Sequence, residues 1–414
     1  MQAWATEVAQ THGRAVDVGD ELPALLALDL EHANLLAALT LALEAADGAT
    51  ACRIATGLAP YWEVRGLRAE GAKWVAAALD LAPTEDAVRA AALLAASRLA
   101  TTADFDHRRR LSADALAAAD RVGHDALASA ALASLGHIEF ETDQRDAARR
   151  YIHAALARAE AANDDASIAL ASLRLALCEQ GDGDAGERER MIGRAIELYT
   201  RLGNRRGQLW CLAELGFAHL VAGDLTPAGE AFEHGLALAR ELGYAHGEAW
   251  MLDALGETAG AAGRFDEART HFEGAHALQL HLGDQLNRGW SLIGLVRALV
   301  RTGRLDEAFD RLHQLTDYMT GDVAPLYSYA LLLRIGSAAM AVGDADHVAQ
   351  VLGALDGLEA PPSLSAADLD DRRALVEFVD ATLTPDISAS ARARGRGVPP
   401  VELARRLLDA GLRR

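Results

Sequence analysis

The stretch from Gly203 to Leu242, GNRRGQLWCLAELGFAHLVAGDLTPAGEAFEHGLALAREL, is one unit of a repeat that decides the fold of this chain. A glycine opens the unit, Gly223 stands at its middle, and Gly243 opens the next unit. The apolar residues between these glycines recur at helical spacing, which predicts helices from about Arg205 to Val221 and from about Thr226 to Leu242. Glycine ends helices readily because it adopts positive φ without a Cβ clash. The stretch therefore predicts two helices joined by tight turns.

The same unit recurs with a period of 40 residues along most of the chain. The turn inside each unit falls at Ala103, Asp143, Gly183, Gly223, Gly263, Gly303 and Gly343. The turn between units falls at Gly123, Asn163, Gly203, Gly243 and Gly283. A stack of such units buries one continuous core between neighbours. The fold class predicted from this period is all-α, a right-handed superhelix of helix pairs.

The composition and the breaks in the pattern predict three regions. Half of the 414 residues are hydrophobic, and aromatic residues make up only 5%. Alanine and leucine dominate the apolar residues, and both favour helices. Residues 1–102 should form atypical N-terminal helical units, and residues 103–358 the regular array. The sequence Ala-Pro-Pro-Ser at 360–363 breaks the pattern, so residues 359–414 should form a C-terminal helical cap.

Charge and missing motifs exclude several functional classes. The formal net charge is −20, which makes nucleic acid an unsuitable partner for the chain itself. The only lysine, Lys73, lies outside any phosphate-binding loop, and no motif typical of hydrolases or metal enzymes occurs. We expect no cofactor, no metal and no catalytic residues. Three scattered cysteines and the lack of a signal-like N-terminus predict a cytoplasmic protein that has no membrane partner.

The columns of the repeat resemble the tetratricopeptide repeat. In the first helix, Leu215 and Gly216 match its leucine and glycine, and in the second helix Ala228, Phe232 and Gly235 match its alanine, aromatic and small residues. The unit is longer than the usual 34 residues, which lengthens both helices. This resemblance implies a binding surface made by the first helix of each pair.

Five segments, taken together, resemble the C-terminal region of actinobacterial LuxR-type and related STAND ATP-binding transcriptional regulators. They are Glu31–Leu39, Tyr61–Gly66, Glu70–Trp74, Val351–Ala354 and Arg394–Arg396. The resemblance implies a sensor or scaffold array. The ATPase and DNA-binding modules of that family do not occur in this sequence, so their activities do not carry over. A fragment of a larger regulator and a stand-alone protein both fit.

The candidate site residues lie on the first helices of successive units. The residues Trp210, Trp250 and Trp290 recur at one position and would form a ladder along the concave groove. An alternative is that each tryptophan wedges between units as packing, since tryptophan is mostly buried in proteins. Charges that do not repeat are stronger candidates, because the architecture does not demand them. The predicted groove contains Trp210, Glu214, Phe217, Trp250, Asp253, Glu257, Trp290, Arg297, Arg301 and His137.

These observations favour one function and leave two others open. The leading hypothesis is a ligand- or partner-sensing interaction module of a bacterial regulatory protein. A peptide, a protein segment or a small molecule would lie in the concave groove. A stand-alone interaction scaffold is the second hypothesis. An unusual biosynthetic enzyme with its site in the groove is the third, although helical solenoids seldom host enzymes.

Overall fold

The computed structural model describes residues 1–19, 21–81, 87–101, 104–179, 185–319, 324–358 and 365–410. Within these ranges the chain forms helices α1 to α21 and no strand. The predicted all-α class is confirmed. The chain divides into two compact units, Met1–Glu248 (unit 1) and Ala249–Arg414 (unit 2), and the boundary falls inside α13.

Unit 1 contains the first twelve helices and the start of α13. They are α1 Gln2–Val18, α2 Glu21–Glu44, α3 Gly48–Val64, α4 Arg68–Asp80, α5 Ala87–Leu99, α6 Phe105–Arg121, α7 Asp125–Glu141, α8 Arg145–Ala161, α9 Asp165–Cys178, α10 Ala185–Leu202, α11 Arg205–Ala222 and α12 Leu225–Leu242.

Unit 2 contains the rest of α13 and the remaining helices. They are α13 Ala245–Ala261, α14 Phe265–Leu282, α15 Gln285–Arg301, α16 Leu305–Tyr318, α17 Ala324–Ala341, α18 Ala345–Leu355, α19 Ala366–Thr382, α20 Pro385–Gly395 and α21 Pro400–Asp409. The predicted borders of the three sequence regions, at 102/103 and 358/359, involve residues outside the described ranges.

The turns follow the repeat columns. Gly223 and Gly243 adopt left-handed backbone conformations, with φ of 84° and 64°. Asp143 and Asn163, which replace glycine in the same columns, also have positive φ. A left-handed residue stops a helix and lets the chain reverse. The column members Ala103 and Gly183 lie outside the described residues.

The helices form two layers within each unit. In unit 1 the odd-numbered helices from α1 to α11 contact one another in order, and each also packs on its even-numbered partner. In unit 2, α15, α17 and α19 contact one another in the same way. We call the odd-numbered helices from α1 to α11 in unit 1, and α15, α17 and α19 in unit 2, the first-helix layer, and the even-numbered helices packed on them the second-helix layer. The helix α19, predicted to be part of a cap, therefore extends the first-helix layer.

Small residues allow the two helices of a pair to approach closely. A Cβ atom on Gly216 would lie 2.4 Å from the Phe232 ring, and one on Gly256 would lie 2.8 Å from the Phe272 ring. Both rings are buried. The glycine of the first helix and the aromatic residue of the second are thus one packing element, as the tetratricopeptide resemblance implied.

The helix α2 is unusually apolar. Among the described helices it alone is long and apolar enough to cross a membrane, a property that core helices of other proteins share. It packs against α1 and α3 and carries Glu21, Asp29, Glu31 and Glu44. We interpret α2 as part of the stack.

Candidate functional site

Four charged residues from four helices form a closed ring in unit 1. Two carboxylates and two guanidinium groups alternate, and each carboxylate contacts both arginines. The members are Asp17 of α1, Glu63 of α3, Arg98 of α5 and Arg206 of α11. The N–O distances are 2.8 and 3.0 Å for Asp17 and 2.5 and 3.2 Å for Glu63. This ion ring joins helices nearly 190 residues apart.

The ring holds its carboxylates ionised. Burial alone would raise the pKa of Glu63, but Arg98 and Arg206 outweigh burial and hold the pKa far below its usual range. The same balance lowers the pKa of Asp17. Each charge is compensated by at least two opposite charges, since Glu63 also lies 3.4 Å from Arg68 and Arg206 lies 3.6 Å from Glu21. Such compensation is the condition under which buried ion pairs are tolerated.

Two more contacts join α1 and α2 to the beginning of α11. The buried Glu21 carboxylate accepts hydrogen bonds of 3.1 and 3.0 Å from the backbone N–H of Arg206. The Asn204 side chain donates to the carbonyl of Asp17 at 2.7 Å. A carboxylate at a helix N-terminus stabilises the free N–H groups there. The first and eleventh helices are therefore held together at their ends.

Aromatic residues lie beside the ion ring. The Trp210 ring meets Tyr244 edge-on at 6.3 Å and approaches His246 at the same centroid distance. The Arg206 guanidinium lies 6.0 Å from the centre of the Tyr244 ring. Tyr244 is buried and Trp210 half-buried. Trp210 thus packs on its neighbours and also keeps an exposed surface.

Within the described ranges, two polar groups of unit 1 lack the kind of charge partners that the members of the ion ring have. Arg174 of α9 donates one hydrogen bond to the Ala133 carbonyl, at 2.8 Å, and pairs with no carboxylate among the described residues. His137 of α7 has a buried Nδ1 without a hydrogen-bond partner, while its Nε2 lies 3.6 Å from Glu141. Burial first, and then Arg174 and Arg108, hold the pKa of His137 well below its usual value. The imidazole is therefore neutral at pH 7.

Two other unit 1 candidates are placed differently from the prediction. Glu214 was expected in the groove, but its carboxylate is buried beside Arg188 of α10, at 3.5 Å. The contact lies between α10 and α11, so this carboxylate is not exposed to solvent. Phe217 packs edge-on against Phe232 at 5.5 Å, as part of the pair interface.

In unit 2, Asp253 belongs to a ring of three hydrogen bonds. Its Oδ2 accepts from Gln279 Nε2 at 2.6 Å, and its Oδ1 lies 2.6 Å from Ser291 Oγ. Ser291 Oγ also lies 2.5 Å from Gln279 Oε1. A serine hydroxyl has one proton and cannot donate to both oxygens. The ring is satisfied when Asp253 is protonated and donates to Ser291, which then donates to Gln279.

The surroundings of Asp253 favour this protonated form. Burial raises its pKa to about 8, and the charges of Glu257 and Asp284 add to the rise, against the hydrogen bonds from Ser291 and Gln279. No basic group is among the largest influences on the pKa of this carboxyl. Asp253 is thus a neutral hydrogen-bond donor at pH 7.

We expect Asp253→Asn to stabilise the protein at pH 7 by about 2 kcal/mol. An asparagine amide can donate to Ser291 and accept from Gln279, so it preserves the ring without a proton. The raised pKa means that wild-type stability is complete below about pH 4 and falls as the pH rises to about 8. The variant should lack this slope. Urea unfolding at pH 4, 6 and 8.5 tests it, and a stability difference that does not grow with pH would contradict the protonated ring.

The predicted groove arginines of unit 2 form ion pairs with a residue of α19. Arg297 Nε lies 3.3 Å from Asp371, and Arg301 lies 4.0 Å from the same carboxylate. The buried Arg334 contacts Asp371 and Asp368. Arg297 was expected to have no structural role, and the structure corrects this, because Asp371 of α19 engages it and, at a longer distance, Arg301.

The remaining candidate site residues of unit 2 take part in fewer polar contacts. Glu257 forms no hydrogen bond or ion pair with the residues that the structure describes, and burial raises its pKa despite the charge of Arg297. Trp290 meets the buried Tyr327 edge-on at 5.0 Å but leaves 43% of its surface exposed. Trp250 is half-buried. The tryptophan column thus combines packing with exposure.

The candidate site residues fall into two groups. His137, Trp210, Glu214 and Phe217 belong to unit 1, and Trp250, Asp253, Glu257, Trp290, Arg297 and Arg301 belong to unit 2. The sequence did not single out the partners that complete each cluster. They are Arg174, Gln279, Ser291 and Asp371. Arg174 lies 40 residues before Glu214, at the equivalent position of its own unit, so the repeat period was a signal that could have located it.

Cavities and metal geometry add no further site. A shallow concavity of about 540 Å³ lies between α7 and α8, and one of about 510 Å³ lies on α4. Neither includes a predicted groove residue. In the described ranges, no three His, Cys, Asp or Glu residues are placed to hold a metal ion.

Comparison with known proteins supports the helical-repeat fold. A family described as tetratricopeptide repeat matches residues 247–319. The crystal structure of a Rap protein complexed with competence and sporulation factor is 13% identical, covers 84% of this chain and 99% of its own, and superposes with a TM-score of 0.52. Yeast Tom70 is 12% identical, covers 96% of this chain and 98% of its own, and has a TM-score of 0.49. No curated protein sequence matches significantly.

These matches define a tetratricopeptide-type helical array. Such arrays present extended binding surfaces and are typical of interaction scaffolds. That the chain is not an enzyme remains a prediction. The resemblance to LuxR-type regulators and the cytoplasmic location remain predictions.

Proposed function

We propose that this chain is an interaction scaffold that binds peptides, or extended segments of proteins, along the first-helix layer of each of its two units. The observation that carries the proposal is the half-exposed aromatic and polar side chains of this layer. Packing alone does not require Trp290 to keep 43% of its surface exposed, or Arg174 to lack a carboxylate partner. Exposed aromatic residues beside charges are typical of peptide-binding surfaces.

The fold comparison supports a peptide ligand. The Rap protein that shares the fold was solved in complex with competence and sporulation factor. In the present chain the first-helix layer offers indole faces for apolar side chains and charged groups for polar ones. A small-molecule ligand is a less favoured alternative, because the two concavities lie away from the aromatic residues of the predicted groove.

We also propose that binding serves a sensing role in a regulatory protein. This step rests on the resemblance of residues 31–39, 61–66 and 70–74 to LuxR-type regulators. Binding along several helices would favour one mutual arrangement of neighbouring pairs, and this shift would be the signal. A stand-alone scaffold would bind the same ligand without transmitting a signal.

Affinity selection from a synthetic library of random dodecapeptides, read by mass spectrometry, tests the binding function. The wild-type protein should retain a reproducible subset of peptides. Trp290→Ala should weaken their binding about tenfold, because aromatic anchors dominate peptide interfaces. Trp74→Ala is the matched control, since Trp74 is half-buried on the second-helix layer. No retained peptide, or equal losses in both variants, would refute the proposal.

A further inference from the structure

Among the residues that the structure describes, Arg174 of α9 lacks the carboxylate partner that the arginines around it have. Three other arginines nearby each hold a carboxylate within 3.0 Å: Arg98 with Glu63, Arg206 with Asp17, and Arg108 with Glu141. Arg174 has only the Ala133 carbonyl. A guanidinium carries five N–H donors, so most of its hydrogen-bonding capacity remains for a ligand.

The charge around Arg174 is not balanced. Glu141 is the carboxylate that acts on it most strongly, but Glu141 already pairs with Arg108 at 2.8 Å. Two arginines therefore share one carboxylate, and His137 beside them is neutral. Burial lowers the pKa of Arg174 to about 10, which leaves it charged at pH 7. The result is one surplus positive charge on the first-helix layer of unit 1, in a chain whose net charge is −20.

A second uncompensated group lies next to the first. The Nδ1 atom of His137 is shielded from solvent and has no hydrogen-bond partner. Arg174 bonds the carbonyl of Ala133, which lies one helical turn before His137 on α7. Leu173, next to Arg174, belongs to the hydrophobic cluster on which Trp210 packs. His246 lies 6.3 Å from Trp210, so α7, α9 and these aromatic residues meet at one location. Buried polar groups without partners are rare in proteins and concentrate where a protein binds or reacts.

We propose that Arg174 binds a carboxylate of the peptide ligand, with Trp210 and His246 contacting the adjoining residue. This inference rests on the proposed function and names the chemistry of its ligand. The planar guanidinium fork matches a carboxylate in two parallel hydrogen bonds. One surplus charge suits a monoanion better than a phosphate dianion. The carboxylate belongs to the C-terminus of the peptide or to an acidic side chain.

Two dodecapeptide libraries, one with free C-termini and one with C-terminal amides, test this inference. Each is prepared with and without Asp and Glu. Wild-type protein should retain carboxylate-bearing peptides, and Arg174→Gln should weaken their binding about 10- to 100-fold, the usual range for a charge-assisted hydrogen bond. Preference for free acids over amides in the library without Asp and Glu identifies the C-terminus. Retention that needs Asp or Glu identifies the side chain.

Arg150→Gln is the matched control, because Arg150 is exposed on α8 of the second-helix layer. It should leave binding unchanged. Thermal unfolding separates binding from a structural role: Arg174→Gln removes an uncompensated buried charge, so its midpoint should equal the wild-type value or exceed it by about 2–4 °C. A lower midpoint would assign Arg174 to structure and overturn the inference.

The remaining outcomes separate the two proposals. If wild-type protein retains peptides that Arg174→Gln binds equally well, the carboxylate site is wrong and the scaffold function stands. If wild-type protein retains peptides from no library, both proposals fail. Retained peptides that lack every carboxylate would also overturn the inference.

Discussion

Arg206→Met is expected to lower the free energy of unfolding by about 2–4 kcal/mol, because it leaves the buried Glu21 and the half-buried Glu63 and Asp17 carboxylates undercompensated. Arg206 is the arginine that connects α11 to both Asp17 and Glu63. Methionine keeps the length of the aliphatic stem, so the loss reports the charge rather than a cavity. Urea unfolding followed by circular dichroism measures the change.

Arg205→Met provides the control for this result. Arg205 is the neighbouring residue, and it pairs with the exposed Glu241. Exposed ion pairs contribute about 0–1 kcal/mol, so this variant should unfold almost like the wild type. Equal effects of the two variants would show that the ion ring does not stabilise unit 1. Glu63→Gln combined with Arg206→Met should cost less than the sum of the single changes, since the two residues interact directly.

Gly13→Ala is expected to destabilise the protein by about 3 kcal/mol, near the upper end for overpacked sites. A Cβ atom at Gly13 would lie 1.8 Å from the carbonyl oxygen of Gly57, where α1 crosses α3. The obstacle is backbone, so no rotamer change relieves it, and α1 must move away. Because α1 carries Asp17, the ion ring should loosen as well. Thermal and urea unfolding test both consequences.

The matched control, Gly229→Ala, should change the stability in the opposite direction. Gly229 lies inside α12, and a Cβ atom added there would have no neighbouring atom within 4 Å. Alanine there should stabilise the protein by about 0.5–1 kcal/mol, because glycine loses more backbone entropy on folding. A small effect of Gly13→Ala, similar to that of Gly229→Ala, would mean that α1 and α3 are not packed as closely as described.

The sequence predicted the helices and turns well, because the residues that repeat every 40 positions form these elements through local interactions. The helices predicted at about 205–221 and 226–242 are observed at Arg205–Ala222 and Leu225–Leu242. Asp143 and Asn163 take the left-handed conformation expected from their columns. Repeated packing elements such as Gly216 with Phe232 were visible because each recurs in the next unit.

The candidate site was harder to predict, because its contacts join residues far apart in the chain. Nothing in the sequence pairs Asp17 with Arg206, 189 positions away. Asp371, which engages Arg297 and Arg301, lies in a segment whose pattern had ended. The neutral state of Asp253 depends on Ser291 and Gln279 from two other helices. A lack of repetition thus identified charged residues with individual roles, but it did not separate ligand contacts from internal ones.

The contacts that join α1 to α11 change how unit 1 should unfold. An open stack of repeats loses its end units first, since a terminal pair has only one neighbour. In unit 1 the first helix and the eleventh hold each other through Asp17, Asn204 and Arg206. Fraying at one end must therefore release the other. The unit should melt as a single cooperative block, and loss of α1 should be felt at the far end of the unit, in α11.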